Sequence, residues 1–332
     1  MEFKPLKKCY MDQAILLAQE NYEIEQQQVA ALYNKNYKED ITQAVTGIFE
    51  NEMGYMALDG DVLIGYLAFP NSWKETDAIH GTYSPVCGYA IKAGVDRAKI
   101  ISQLFQRSSE DLIKRGVGRY QITVYAHDSD VIESYVFNQF GILCTDAIKM
   151  IQTRFCDALD GSVQYKELTK NEIKKDAYQL IALWRELVKH LQSSPTYYLG
   201  AEFTDEVYLD HILNEDTRLF VAKDQDRIIG IVDCSKDGNH FATQDEETMN
   251  IGDLYVVKSY RGKQIAQSLL QYASDELKKS GCLRLWVEHG TTNPTALRFW
   301  DRYFSRYTVT LTRHIDERVV EMYRLSNQTE AN

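Results

Sequence analysis

The chain has 332 residues, 44% of them hydrophobic and 26% charged, which is long for one compact α/β domain and comfortable for two of about 150 residues each. Asp and Glu total 48 against 37 Lys and Arg, a formal charge of -11. Such a surface repels phosphate backbones and anionic lipid, which argues against nucleic acid or membrane as partners and favours a cationic one such as an amine.

The chain opens MEFKPLKKCYMDQ, without the apolar core of a signal peptide. No apolar run approaches the roughly 18 residues that span a bilayer. Cys9, Cys87, Cys144, Cys156, Cys234 and Cys282 include no CxxC pair, and none lies at zinc-ligand spacing from a histidine. They read as reduced thiols of a soluble cytoplasmic protein without a metal.

The first patterned segment is YMALDGDVLIGYLAF (55–69), two apolar runs around a short polar turn, as in a β-hairpin. Ile100, Leu104 and Leu112 then recur at helical steps, and Gly116 closes that helix. A strand follows at Tyr120 to Tyr125. The polar stretch Cys156 to Gln164 lacks an apolar period and reads as a linker. Beyond it FVAKDQDRIIGIVDC (220–234) repeats the hairpin. Asp59, Asp61, Ile64 and Gly65 match Asp224, Asp226, Ile229 and Gly230, each pair 165 apart. Ile265, Leu269, Leu277 and Gly281 continue the match at the same offset. The reading is a duplication of a mixed α/β unit, with domains at 1–156 and 163–327.

The second copy carries the chemistry. Ile251 to Val257 is strand-like, Ser259 to Gly262 break it, and a helix starts at about Lys263 or Gln264. A strand entering a tight turn and then a helix N-terminus presents unbonded amides to an anion. Gly262 and Ala266 leave room for a diphosphate, and Arg261 adds charge.

This segment resembles the GNAT acetyltransferase family. The resemblance rests on LYVVKSYRGKQIAQSLL, Gly281, the strand LRLWVEHG and NPTALRFWDRYF (293–304), in the family's order, and covers Tyr165 to Arg313. It implies two tandem GNAT domains of mixed α/β fold, with acetyl-CoA as co-substrate. The diphosphate loop is Arg261-Gly262-Lys263-Gln264-Ile265-Ala266. Gln264 replaces a family glycine, which a helical backbone at that position would tolerate.

The family fold further implies that the strands ending near Val257 and Val287 splay, so that pantetheine pairs with Leu254, Tyr255 and Val256. An amide near Val256 would then polarise the thioester. Asn293 matches a pantetheine contact of the family and is equally good N-cap chemistry before Pro294. The family's tyrosine acid is Trp300 here, and Tyr303, one turn on, is the substitute or a packing residue. Asp253, Glu288 or a water-relayed path would serve as base. The loop 190–203 shapes the acceptor pocket, with Tyr197 and Tyr198 to contact the acceptor and Glu202 and Asp205 to attract a cation, unless all four are ordinary surface.

In the first copy the offset turns Arg261 into Asp96, Gly262 into Arg97, Ala266 into Ile101 and Asn293 into Asp128. An aspartate facing a diphosphate is unfavourable, so this copy is expected to bind no acyl-CoA. The expected activity is acetyl transfer to a primary amine of a small molecule or protein, with room left for an oligomer. The alternative is a non-catalytic acyl-CoA-binding or scaffold protein on the same fold. Aminoacyl or peptidyl transfer from tRNA would call for a more basic surface.

Overall fold

The computed structural model describes residues 1–76, 79–200 and 203–330, the side chains of the last five excepted. Two compact units divide the chain: Met1–Thr145 with Arg306–Asn332, and Asp146–Ser305.

In the first unit β1 (Glu2–Pro5) is followed by α1 (Met11–Gln26) and α2 (Lys38–Phe49). Then come β2 (Gly54–Asp59), β3 (Val62–Ala68), β4 (Asn71–Lys74), β5 (His80–Ser84) and β6 (Tyr89–Ile91). The expected hairpin is β2–β3, turning at Gly60 with φ +60°. Next are α3 (Arg97–Lys114), β7 (Val117–Tyr125), α4 (Ser129–Phe137) and β8 (Gly141–Met150), which passes from one unit to the other at Thr145. The apolar stripe of α3 buries Ile100, Ile101, Leu104, Phe105 and Leu112 against β2, β3 and β7.

The second unit continues with β9 (Gln164–Leu168), α5 (Lys170–Gln192), α6 (Asp205–Leu213), β10 (Arg218–Asp224) and β11 (Arg227–Ser235). It closes with β12 (Thr248–Val256), α7 (Ile265–Lys279), β13 (Arg284–Gly290) and α8 (Pro294–Tyr303). Strands β9 to β13 lie in chain order, antiparallel up to the parallel pair β12–β13. Helix α7 covers one face with Leu269, Leu270, Ala273 and Leu277. Helices α5 and α6 cover the other with Leu180, Leu183, Trp184 and Ile212. Thr169 and Glu172 form a full capping box at the start of α5.

Two features depart from the linear reading. The polar stretch around Cys156 is docked on α7: the amide of Phe155, just before it, donates to Gln271 Oε1 at 2.9 Å, and that of Asp160 to Ser268 Oγ at 3.0 Å. The final strand β14 (Ser305–His314) and α9 (Glu317–Glu330) follow α8 in the chain, yet from Arg306 onward they belong to the first unit. β14 pairs antiparallel with β7, from Thr308↔Tyr125 to His314↔Arg119. The spatial division therefore differs from one at 1–156 and 163–327. The physical reason is that the inner edge of β7 needs a partner, which the C-terminal strand supplies. Val309 and Leu311 fill the first unit's core.

Leu311 is fully buried there. Leu311→Ala should therefore lower the stability of the first unit by about 3 kcal/mol, although the residue lies near the C-terminus. Denaturant unfolding followed by a probe placed on α1 would read that loss.

Candidate functional site

Strands β12 and β13 pair only at Thr248↔Arg284, Met249↔Leu285 and Asn250↔Trp286. From Ile251 to Val256 the edge of β12 that faces β13 has no strand partner among the described residues. Its other edge is held by β11, with Val232↔Leu254, Ile231↔Tyr255 and Gly230↔Val256. Just beyond, the Val257 amide donates to Ile229 O at 2.9 Å. Antiparallel alternation then turns the amides of Leu254 and Val256 into the open gap. This is the splay expected of these strands.

At the end of β12 the chain makes a single 3-10 turn, Lys258–Tyr260, before α7 begins at Ile265. Gly262 has φ +80° and Gln264 φ +59°. The helical backbone expected at Gln264 is therefore not found. Gln264 is the N-cap of α7 in the left-handed region, where a residue with a Cβ is strained and a glycine is not. Its side chain does not cap the helix. The first intrahelical bond is Ser268 N–H to Gln264 O at 3.0 Å, so the amides of Ile265, Ala266 and Gln267 precede the helical ladder and face outward.

Arg261 is folded back: its Nε donates to Val256 O at 2.9 Å, and its guanidinium lies 5.1 Å from the Tyr255 ring centre. It satisfies a carbonyl of the open edge while keeping its charge beside the turn. Lys263 lies over the Tyr260 ring at 5.3 Å, and the Tyr260 hydroxyl donates to Asp224 at 2.6 Å.

On the other side of β12 lies a network that the sequence did not announce. The register shifts between Val232 and Cys234, where β12 bulges and sets Gly252 and Asp253 opposite the single Asp233 of β11. Asp233 Oδ2 accepts the Asp253 amide at 2.9 Å, and Oδ1 meets His211 Nε2 at 2.9 Å. A Cβ at Gly252 would lie 2.1 Å from Asp233 Oδ1, so only glycine allows this approach. Asp253 Oδ2 accepts from Trp184 Nε1 at 3.1 Å. Burial, and then the neighbouring Asp233 charge, push the Asp253 carboxyl up to about 7. The hydrogen bond to Asp233 raises the His211 imidazole.

An aromatic ladder joins this network to the loop after α5. Tyr198 stacks on Phe203 at 5.6 Å, Phe203 meets Trp184 edge-on at 6.1 Å, and Trp184 stacks on Tyr208 at 4.8 Å. Tyr197 is largely exposed with φ +48°. Asp205 is paired with Arg185, Nε to Oδ1 at 2.9 Å, so its charge is already countered and it is no open cation site. Glu202 lies outside the described residues.

Asn293 caps α8, accepting the Ala296 amide at 3.2 Å. Tyr303 is half-buried against Phe155 and Phe299, at 5.2 and 5.3 Å, with the buried Trp300 in the same cluster. Glu288 is exposed on β13. Thus Asp253 and the amides of Leu254 and Val256 share one strand, while Tyr303 is taken up by packing. Trp184, Tyr208, His211 and Asp233 were missed. Their only sequence signal was the tight Gly252-Asp253 pair opposite an inward-facing aspartate.

Residues 184–304 match the acetyltransferase (GNAT) family. The chain is 38% identical over 89 residues to N-alpha-acetyltransferase 30 of Schizosaccharomyces pombe, covering 26% of this chain and 57% of that protein. It is 42% identical over 50 residues to an acetyltransferase of Agrobacterium fabrum, covering 15% and 35%. The chain thus spans about half the length of the curated relatives it matches. A GCN5-related N-acetyltransferase from Sphaerobacter thermophilus superimposes with a TM-score of 0.57 at 11% identity, covering 94% of this chain and 95% of that one.

Two outcomes follow. Gln264→Gly should raise stability by about 0.5–1 kcal/mol by relieving the left-handed strain, measured by thermal unfolding. Asp253 binds its proton more tightly folded than unfolded, so its contribution is present at low pH and is lost as pH rises from the ordinary carboxylate range through about 7. His211, also raised, acts in the same direction. Asp253→Asn should therefore reduce the fall in melting temperature between pH 5 and pH 8 without abolishing it.

Proposed function

We propose, from the match of residues 184–304 to the GNAT acetyltransferase family, that the second unit transfers the acetyl group of acetyl-CoA to a primary amine. The observation that carries the reading is the open edge of β12, which runs straight into the uncapped first turn of α7. A pantetheine arm needs unpaired peptide groups and a diphosphate needs unbonded amides, and this chain offers them in sequence. Acetyl-CoA, when bound, supplies an activated acyl carbon.

The residues then divide the work. The amides of Ile265, Ala266 and Gln267, with Arg261, Gly262, Lys263 and Gln264 around them, hold the diphosphate. Leu254 and Val256 pair with the pantetheine arm beside Tyr255, and the Val256 amide polarises the acyl oxygen. Asn293 holds the end of α8 beside the arm. Asp253 takes the proton from the acceptor ammonium, because a carboxyl held near neutrality both accepts and releases protons at physiological pH. Glu288, exposed at the end of the neighbouring strand, is a weaker candidate for that role. Tyr303 and Trp300 keep α8 packed, and the leaving thiolate needs no acid from either. Tyr198, at the outer end of the aromatic ladder, and Tyr197 border the acceptor.

The first unit supports a reading without acyl-CoA. Helices α3 and α7 end at Lys114 and Lys279, 165 residues apart, but α3 has 18 residues and α7 has 15. The extra turn of α3 replaces the diphosphate loop with helix. Asp96 caps it, accepting the Lys99 amide at 3.0 Å. The Tyr89 hydroxyl accepts the Tyr125 amide and donates to Asp128, bridging β6 to β7 where the second unit is open. Arg97 is bound by Asp128 and Asn21. Cys9, Cys87, Cys156, Cys234 and Cys282 are free thiols, which suits the reducing cytoplasm in which we place the reaction.

A second reading, acyl-CoA binding without turnover, is favoured by the buried Trp300 at the family's acid position. Free-thiol release with a panel of amines separates the two.

Acetyl-CoA at about 100 times its Kd should stabilise the chain by about 2.7 kcal/mol. Arg261→Glu should remove most of that shift; a wild-type chain with no shift sinks the reading. With turnover, kcat/KM should rise with pH through about 7, and Asp253→Asn should remove that limb.

A further inference from the structure

We propose that the Tyr208 hydroxyl and the Asp253 carboxylate together seat the acceptor's ammonium group, so that the acceptor is an alkylammonium compound; this rests on the acyl-transfer reading of the same site. Tyr208 lies on α6 and is 2% exposed. Among the described residues its hydroxyl has no hydrogen-bond partner. Buried hydroxyls are nearly always satisfied, because removing one from water without a partner forfeits a hydrogen bond. This one therefore marks a place where a polar atom of something else belongs.

The surroundings say what that atom is. The Tyr208 ring is stacked nearly parallel on Trp184, 4.8 Å away and tilted by 10°. The Trp184 indole N–H donates to Asp253, so the stack carries the phenol alongside that carboxylate. The charges of Asp233 and Asp253, after burial itself, hold the phenol proton well above its usual range. The hydroxyl feels both carboxylate charges and is hydrogen-bonded to neither.

A ligand that fits must be positive and must bring several donors. An alkylammonium brings three N–H groups in a tetrahedral fan. One satisfies Asp253 and another the phenol oxygen. A carboxylate ligand would meet Asp233 and Asp253 with like charge. Asp233 also bonds His211, which is about one-third exposed and keeps the second carboxylate oriented, so Asp253 is left to face the acceptor.

The test is isothermal titration of the full chain, loaded with coenzyme A, against hexylammonium chloride. Wild type should bind hexylammonium and not hexanoate. Tyr208→Phe keeps the stack and loses only the oxygen. It should bind hexylammonium at least tenfold more weakly, with unchanged affinity for coenzyme A and a melting temperature no lower than wild type. If coenzyme A does not bind, the acyl-transfer reading fails. If coenzyme A binds but hexylammonium does not, or if Tyr208→Phe binds it as wild type does, the seat is overturned and the acyl-transfer reading stands.

Discussion

Two parallel strands that stop pairing after three residues leave peptide groups that water or a ligand must satisfy. Everything around the second unit's site answers to that constraint. Val256 O is met by the folded-back Arg261, the amide of Val257 by Ile229, and the amides of Leu254 and Val256 face the gap. The left-handed turns at Gly262 and Gln264 follow directly, because the chain must leave an unpaired strand and start a helix within a few residues. In the first unit the same divergence between strands is bridged by the Tyr89 hydroxyl and by Arg97.

The bulge opposite Asp233 is the second device. An extra residue in β12 sets Gly252 and Asp253 opposite Asp233, whose carboxylate holds the backbone of Asp253, and only glycine at position 252 tolerates the approach. Two carboxylates this close cannot both ionise cheaply. The raised proton affinity of Asp253 thus comes first from burial and then from the Asp233 charge that this backbone geometry brings close. Trp184 and His211, from two different helices, hold each carboxylate at a fixed angle.

Local order was well written in the sequence. The hairpins, the helices with their closing glycines at Gly116 and Gly281, and the strand-turn-helix at Val256 to Ile265 all rest on short-range pattern and turn chemistry, which a sequence displays directly. What stayed hidden was long-range. That β14 joins β7 is decided by which edge needs a partner, and no local pattern in Arg306 to His314 reveals it. His211 and Trp184 looked like ordinary helix residues, because their partners are 22 and 69 residues away. Gln264 misled for a different reason: a glutamine in left-handed backbone breaks the local preference, and such exceptions gather where a site imposes a shape on the chain.

Strand exchange has a consequence for how the molecule is born. On a ribosome, Met1–Thr145 emerges first, but the strand that covers β7 is not made until Asp146–Ser305 has been translated. At ordinary elongation speeds that interval is on the order of ten seconds. Through it the nascent first half presents a bare β edge, a surface that chaperones recognise and that neighbouring nascent chains can join. Completion of the first unit thus waits until the whole of the second has been translated.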